Sequence, residues 1–119
     1  PGEACTVGWS FTARPVETTP HVTTGDPYRA YLDLAALEQR MVVRSRKDGD
    51  RFQPLGMEGT KKLKEFMIDT HIPKIWRDSV PLLVGKRGVA WVIGWRIAHW
   101  ARVTEATQKT VEITLRQNV

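Results

Sequence analysis

The chain has 119 residues, of which 41% are hydrophobic and 26% charged, and its formal net charge at pH 7 is +5. These proportions are ordinary for a globular protein and argue against disorder, and the length suits one domain over residues 1–119. The longest uncharged apolar run, Gly88–Trp95, is far shorter than the roughly 20 residues of a membrane-spanning helix. Because no signal peptide is evident and Cys5 is the only cysteine, we expect a cytoplasmic protein without a disulfide or a membrane partner.

Alternation of apolar and polar residues, the period of a half-buried β-strand, predicts about six strands. In chain order these strands cover Cys5–Phe11, Tyr28–Leu34, Met41–Arg46, Pro81–Val84, Val89–Ile97 and Val111–Leu115. The first two are separated by a segment rich in threonine and proline, within residues 13–27, that we expect to be an exposed loop. Ala35–Arg40 predicts one helical turn, Gly85–Gly88 predicts a hairpin loop, and residues 98–109 show no clear pattern.

One main helix is predicted, over residues 60–71. Leu63, Phe66 and Met67 lie at i, i+3 and i+4 and form an apolar stripe, Thr60 is a suitable N-cap, and Pro73 ends the helix. Strands and helices do not alternate in a βαβ rhythm. The predicted fold class is therefore α+β, with a mostly antiparallel sheet or open barrel of about six strands and this one helix.

The segment Arg44–Arg77, called the basic stretch below, has nine basic and five acidic residues and so carries +4 of the net charge of +5. Such a concentration is typical either of a polyanion-binding surface, with nucleic acid favoured over membrane, or of a solvated edge. Strand alternation places two arginines on one face, and three lysines lie off the apolar stripe of the helix. The candidate RNA-binding residues are Arg44, Arg46, Lys47, Arg51, Lys61, Lys62, Lys64, Lys74 and Arg77.

Residues for catalysis or metal binding are not evident. The three histidines are scattered without ligand spacing, and Asp48 and Asp50 are better explained by a turn around Gly49 than by a metal site. Glycine-rich nucleotide loops are missing, and Gly56–Gly59 before the helix is only a weak candidate for a phosphate loop. We therefore predict no catalytic residue, cofactor or metal ion in this chain.

Tryptophans offer a second candidate signal. Trp9, Trp91 and Trp95 alternate within predicted strands and are expected in the core. Trp76 lies between Lys74 and Arg77, so stacking on a base is an alternative, although packing is the first interpretation.

The basic stretch and the strands after it resemble the C-terminal domain of bacterial tRNA(Ile)-lysidine synthetase. The resemblance is strong from Arg44 to Ile97, looser before this range and weak after Trp100. The motifs that carry it are Gly49-Asp50-Arg51-Phe52, Pro54-Leu55-Gly56, Lys62-Leu63-Lys64, Ile72-Pro73, Arg77-Asp78, Pro81-Leu82-Leu83 and Ala90-Trp91-Val92-Ile93-Gly94.

This resemblance implies a part of a tRNA-modifying ligase that uses ATP to attach lysine to the wobble cytidine of isoleucine tRNA. Catalysis, with ATP and Mg²⁺, then belongs to an N-terminal domain whose Ser-Gly-Gly-x-Asp-Ser loop does not occur here. The chain itself would bind the acceptor stem of tRNA and have no ligase activity alone. Two alternatives remain: a structural module whose basic face docks on a partner domain, and an independent enzyme built on the turn of Asp48 and Asp50.

Overall fold

The computed structural model describes residues 2–6, 9–17 and 26–117, with the side chains of residues 10–17 and 26–116. Residues 18–25 of the loop predicted within residues 13–27, and the side chains of Cys5 and Trp9, lie outside the described residues. Residues 13–16 belong to a strand instead of this loop, because they pair with residues 110–113. Within these ranges the strands are β1 Gly2–Thr6, β2 Trp9–Val16, β3 Arg29–Asp33, β4 Val42–Arg44, β5 Arg51–Phe52, β6 Lys61–Lys62, β7 Leu82–Gly85, β8 Gly88–Val92, β9 Arg96–Ile97 and β10 Thr110–Gln117. The α-helix, α1, covers Leu63–Asp69, and 3₁₀ turns cover Ala35–Leu37, Lys74–Ser79 and His99–Ala101.

The strands form three antiparallel sheets. One has the order β1-β2-β10-β3, the second has the order β4-β7-β8-β9, and β5 pairs with β6 in a small third sheet. In the described part of the chain no sheet closes into a barrel. The α+β class, the mostly antiparallel sheets and the single main helix are therefore confirmed, whereas the strands are more numerous and shorter than the sequence suggests.

Two predicted strands are broken in the structure. The strand expected over Cys5–Phe11 is in fact two, because β1 and β2 run antiparallel with Thr6 opposite Trp9. The strand expected over Val89–Ile97 ends at Val92 and resumes at Arg96. Glycine with a positive φ of 92° at Gly94 makes this reversal possible, since side chains disfavour that conformation. In the sequence, apolar and polar residues keep alternating across both breaks, so the periodicity alone does not predict them.

The hairpin of β7 and β8 agrees with prediction, because Gly85 pairs with Gly88 across its loop. The helical turn expected after β3 is also present, as the 3₁₀ turn Ala35–Leu37.

Helix α1 is shorter than the predicted range of residues 60–71. Thr60 is not its N-cap: the backbone of Lys61 and Lys62 is paired with β5, and the helix begins only at Leu63. The strand β6 also separates Gly56–Gly59 from the helix, so a phosphate loop at the helix start is not formed.

The C-terminal end of α1 is reached before Pro73. His71 adopts a φ of 62°, and the N–H groups of His71 and Ile72 donate to the carbonyls of Ile68 and Met67. This is the Schellman motif, with a left-handed residue directly after the helix cap. It ends the helix at Asp69 and directs the chain into the exposed turn Lys74–Ser79.

A continuous apolar core holds α1 against the sheets. The three stripe residues Leu63, Phe66 and Met67 are each at most 1% exposed, as the stripe predicts. The rings of Phe52 in β5 and Phe66 in α1 meet edge to face, with centroids 4.8 Å apart. This contact fixes the helix on the small β5–β6 sheet and thereby also fixes the position of the basic residues around the helix.

Candidate nucleic-acid interface

The first wall of the interface is the turn that follows β4. The N–H of Asp50 donates to the carbonyl of Lys47 at 3.1 Å, and Gly49 between them has a φ of 88°. The carboxylate of Asp50 accepts the backbone N–H of Lys47 at 2.8 Å. It also accepts two hydrogen bonds from the guanidinium of Arg44, at 2.8 and 3.0 Å. The predicted turn is confirmed, and its aspartate has a structural task.

The ionic contacts of Asp50 shift its titration. Partial burial by itself would raise the pKa of Asp50, but the hydrogen bonds from Arg44 and from the Lys47 N–H, with the positive charge of Arg44, hold the pKa below its usual value. A carboxylate with a depressed pKa stabilises the fold at every pH above the pKa of the unfolded chain, about 3.9. That stabilisation is lost as the pH falls through the lower pKa of the folded state.

Replacing Asp50 by Asn is therefore expected to lower the free energy of unfolding by about 1–3 kcal/mol at pH 7, because Arg44 loses a charged acceptor. The difference between wild type and Asp50→Asn should shrink as the pH falls from 4 toward 2, where the wild type also loses the charge. Urea unfolding at a series of pH values measures this difference. A difference that stays constant down to pH 2 contradicts the assigned ion pair.

The second wall is β6 with the first turn of α1. Arg51 in β5 lies opposite Lys62, and the N–H of Leu63 donates to the carbonyl of Asp50 at 2.9 Å. Leu63 is buried, and its two neighbours Lys62 and Lys64 are exposed. The backbone contact to Asp50 thus places two lysines beside the turn that carries Lys47.

Between these walls lies a cavity of about 230 Å³, called the basic cavity below. Its lining residues are Arg46, Lys47, Asp48, Gly49, Asp50, Lys62, Leu63 and Lys64. Asp50 is paired with Arg44 and Arg46 with Asp78, so three lysines and one exposed carboxylate, that of Asp48, remain in the cavity. Its net charge favours an anionic ligand.

Ion pairs divide the nine predicted RNA-binding residues into two groups. Arg44 pairs with Asp50, Arg46 with Asp78 at 2.7 Å, and Lys61 with Asp69 at 2.5 Å. Among the described residues the other six have no carboxylate within ion-pair distance. They are Lys47, Arg51, Lys62, Lys64, Lys74 and Arg77.

The structure places these nine residues in more than one location. Four of them line the basic cavity. Arg51 lies beside it and donates to the hydroxyl and carbonyl of Thr60 at 3.2 and 3.3 Å. Lys74 and Arg77 lie on the 3₁₀ turn Lys74–Ser79, which the ion pair of Arg46 with Asp78 connects to the cavity. Whether each contacts RNA stays a prediction.

Exposed aromatic residues are the feature that the sequence interpretation missed. Trp91 is 3% exposed, as predicted, but Trp95 is 43% exposed and was wrongly assigned to the core. Trp76 is 59% exposed, so packing is not its main role either. The available signal for Trp95 was its position after Gly94, since Trp-x-x-Gly-Trp permits a turn as well as a strand.

Metal ions and membranes are the two other kinds of ligand to consider for the described residues. In residues 2–6, 9–17 and 26–117, no three His, Cys, Asp or Glu side chains are placed to hold a metal ion. In the same ranges, no helix has the length and apolar character needed to cross a membrane.

Comparison with known proteins identifies the family. Residues 41–114 match the family model described as the TilS substrate C-terminal domain, which covers more than half of the chain. The chain belongs to the TilS C-terminal domain family. The matched range contains both walls of the basic cavity and the turn Lys74–Ser79.

Curated relatives of this TilS C-terminal domain are named tRNA(Ile)-lysidine synthase. The relative from Dehalococcoides mccartyi is 47% identical over 87 residues, which are 73% of this chain and 18% of that protein. The relative from Caldanaerobacter subterraneus subsp. tengcongensis is 45% identical over 86 residues, 72% of this chain and 18% of that protein. The chain thus spans about a fifth of the length of these relatives.

Solved structures agree with this assignment. A crystal structure of a TILS C-terminal domain superposes with a TM-score of 0.73 and 26% identity, covering 94% of this chain and 86% of that one. An N-terminal fragment of the phenylalanyl-tRNA synthetase β-subunit from Pyrococcus horikoshii has a TM-score of 0.63 at 18% identity, over 76% of this chain and 28% of that one. The second likeness concerns the fold alone.

Proposed function

We propose that the chain is the tRNA-binding domain of a tRNA(Ile)-lysidine synthase and that its basic cavity binds phosphates of the tRNA acceptor stem. The observation that carries the proposal is the cavity itself, where Lys47, Lys62 and Lys64 converge without a carboxylate partner among the described residues. Lysines that repel one another in this way are stabilised when a polyanion binds. Because the chain belongs to the TilS C-terminal domain family, tRNA is the polyanion that we propose.

In this proposal, catalysis takes place in another domain. A catalytic domain of the same polypeptide uses ATP and Mg²⁺ to attach lysine to the wobble cytidine of isoleucine tRNA, and the complete enzyme works in the cytoplasm. The basic cavity supplies affinity and orientation. An A-form stem is recognised mainly by its shape and backbone, which suits a cavity lined by lysines and a turn backbone.

Docking on a partner domain is the second candidate, and one observation favours it. A cavity of about 620 Å³ at the other end of the β4 sheet is lined by Leu34, Ala35 and Met41 together with polar residues. An apolar concavity of this kind suits a neighbouring domain. It does not compete with the basic cavity, so one chain can use both.

Binding of two RNA hairpins tests the proposal. We expect the chain to bind a minihelix with the acceptor stem of isoleucine tRNA at least about tenfold more tightly than the anticodon-arm hairpin, a difference of roughly 1.4 kcal/mol. Fluorescence anisotropy at 0.15 M salt measures both affinities. Equal affinity for the two hairpins, or a preference for the anticodon arm, contradicts acceptor-stem binding.

A further inference from the structure

A second concave site lies on the other side of the turn Lys74–Ser79. It is a cavity of about 170 Å³, called the aromatic cavity below. Tyr28, Trp76 and Trp95 line it, with Ser79, Val80, Pro81 and Ile93 completing the wall. The three aromatic residues precede β3, lie within the 3₁₀ turn and precede β9, so separate parts of the chain bring them together.

These aromatic side chains are held at the surface by the backbone around them. The N–H of Trp95 donates to the carbonyl of Val92 at 2.9 Å, and the N–H of Gly94 to that of Pro27 at 3.1 Å. Tyr28, Trp76 and Trp95 are 42%, 59% and 43% exposed. Large aromatic rings left in water at one place are typical of a binding site, because burying them on a ligand is favourable.

Basic residues lie near the aromatic cavity, whose own lining residues are uncharged. Lys74 and Arg77 flank Trp76 on the same turn, and neither has a carboxylate partner in the described part of the chain. On the other side of Trp95, a cavity of about 300 Å³ is lined by Arg29 and Arg96 and also by the acidic Asp26, so its charged lining is positive by one. A ligand that combines flat rings with negative charge therefore fits better than a neutral apolar segment.

The aromatic and basic cavities are also physically connected. Asp78 pairs with Arg46 of the basic cavity at 2.7 Å, and its neighbour Ser79 lines the aromatic cavity. A single polyanion can therefore occupy both sites by passing over the turn. The size of the aromatic cavity, below the roughly 300 Å³ of small-molecule pockets, suits one planar ring system better than a whole cofactor.

We propose that the aromatic cavity binds an unpaired nucleobase of the RNA whose double-stranded part contacts the basic cavity. This inference rests on the proposed function. Trp76 and Trp95 supply the stacking surfaces, and the neighbouring cations bind the phosphates that lead from the duplex to the unpaired base. Stacking tolerates any base, since each has a π-face, so the site selects for single-stranded character next to a duplex rather than for sequence.

Two RNA probes test this inference: a blunt hairpin, and the same hairpin with a 3′ overhang of about four unpaired nucleotides, the length of a short single-stranded site. Wild type should bind the overhang probe more tightly. Trp76→Ala and Trp95→Ala should each weaken overhang binding about 5- to 150-fold and change blunt-hairpin binding less than about twofold. Trp95→Phe keeps a ring and should retain most of the affinity.

Ile75→Ala is the matched control, because Ile75 is 82% exposed on the same turn but does not line the aromatic cavity. It should bind both probes as wild type does. Thermal unfolding of each variant shows that the fold is intact.

Equal binding of the two probes by wild type overturns the inference and leaves the proposed function standing. Tryptophan variants without effect on overhang binding overturn it as well, and then a protein partner is the better occupant. Binding of neither probe contradicts the proposed function itself.

Discussion

Replacing Lys62 and Lys64 together by glutamine is expected to weaken binding of the acceptor-stem minihelix on the order of 50-fold at 0.1 M salt. Both lysines are exposed, line the basic cavity and have no carboxylate partner among the described residues. Each phosphate contact contributes about −0.9 to the slope of log K against log salt. Losing two contacts therefore removes roughly the affinity that these contacts gain when the salt concentration falls from 1 M to 0.1 M. Anisotropy titrations at several salt concentrations measure the affinity and the slope.

Lys86→Gln with Lys109→Gln is the matched control for this double variant, since it removes the same charge. The N–H of Lys86 donates to the carbonyl of Leu37, and Lys109 lines the apolar cavity with Leu34, so both lie at the far end of the β4 sheet. This control should keep its affinity within about threefold, because screening over about 10 Å weakens distant charges. Equal losses in the two double variants refute the location of the interface.

Replacing Phe66 by alanine is expected to lower the free energy of unfolding by about 3–5 kcal/mol. Phe66 is 1% exposed and meets Phe52 edge to face, so its removal leaves a cavity between α1 and β5. The loss is a large part of the roughly 5–15 kcal/mol that holds a domain together. Denaturant unfolding followed by circular dichroism measures it.

Ile68→Ala provides the comparison on the same helix, because Ile68 is 46% exposed. It should change the free energy of unfolding by less than about 1 kcal/mol. A loss in Ile68→Ala as large as in Phe66→Ala would show that α1 docks on a different face. The position of Lys62 and Lys64 at the start of α1 depends on this docking.

Much of the fold could be predicted because alternation and the helical stripe report burial directly. The strands around Ala30, Val43, Leu83 and Ile113 and the stripe of α1 follow from the pattern of apolar residues. Turns interrupting a regular alternation could not be predicted in this way. Before Trp95, the chain reverses at Gly94 without breaking the period, and the predicted core tryptophan reaches the surface.

The candidate site was predictable in composition but not in arrangement. Counting charges identifies the nine basic residues, yet a sequence does not show that Arg44, Arg46 and Lys61 each form an ion pair with an aspartate. Asp78 lies 32 residues after Arg46 in the sequence, whereas Asp50 lies only six residues after Arg44. Only the folded positions of these three aspartates distinguish neutralised cations from available ones.

The cations that remain available favour the proposed binding role over a catalytic one. The carboxylate of Asp50 is not available for catalysis, because its oxygens accept hydrogen bonds from Arg44 and from the N–H of Lys47. An Asp48/Asp50 enzyme is therefore not supported. The three lysines of the basic cavity can contact phosphates without first breaking an ion pair in the described structure.

Salt dependence of acceptor-stem binding by the unmodified chain tests the central claim most directly. The three unpaired lysines of the basic cavity predict a slope of log K against log salt of about −3. If all six unpaired cations contact phosphates, the predicted slope is about −5. Anisotropy titrations from 0.05 to 0.5 M salt determine that slope. A slope between these two values supports phosphate binding by these residues, whereas a slope flatter than about −2 contradicts it.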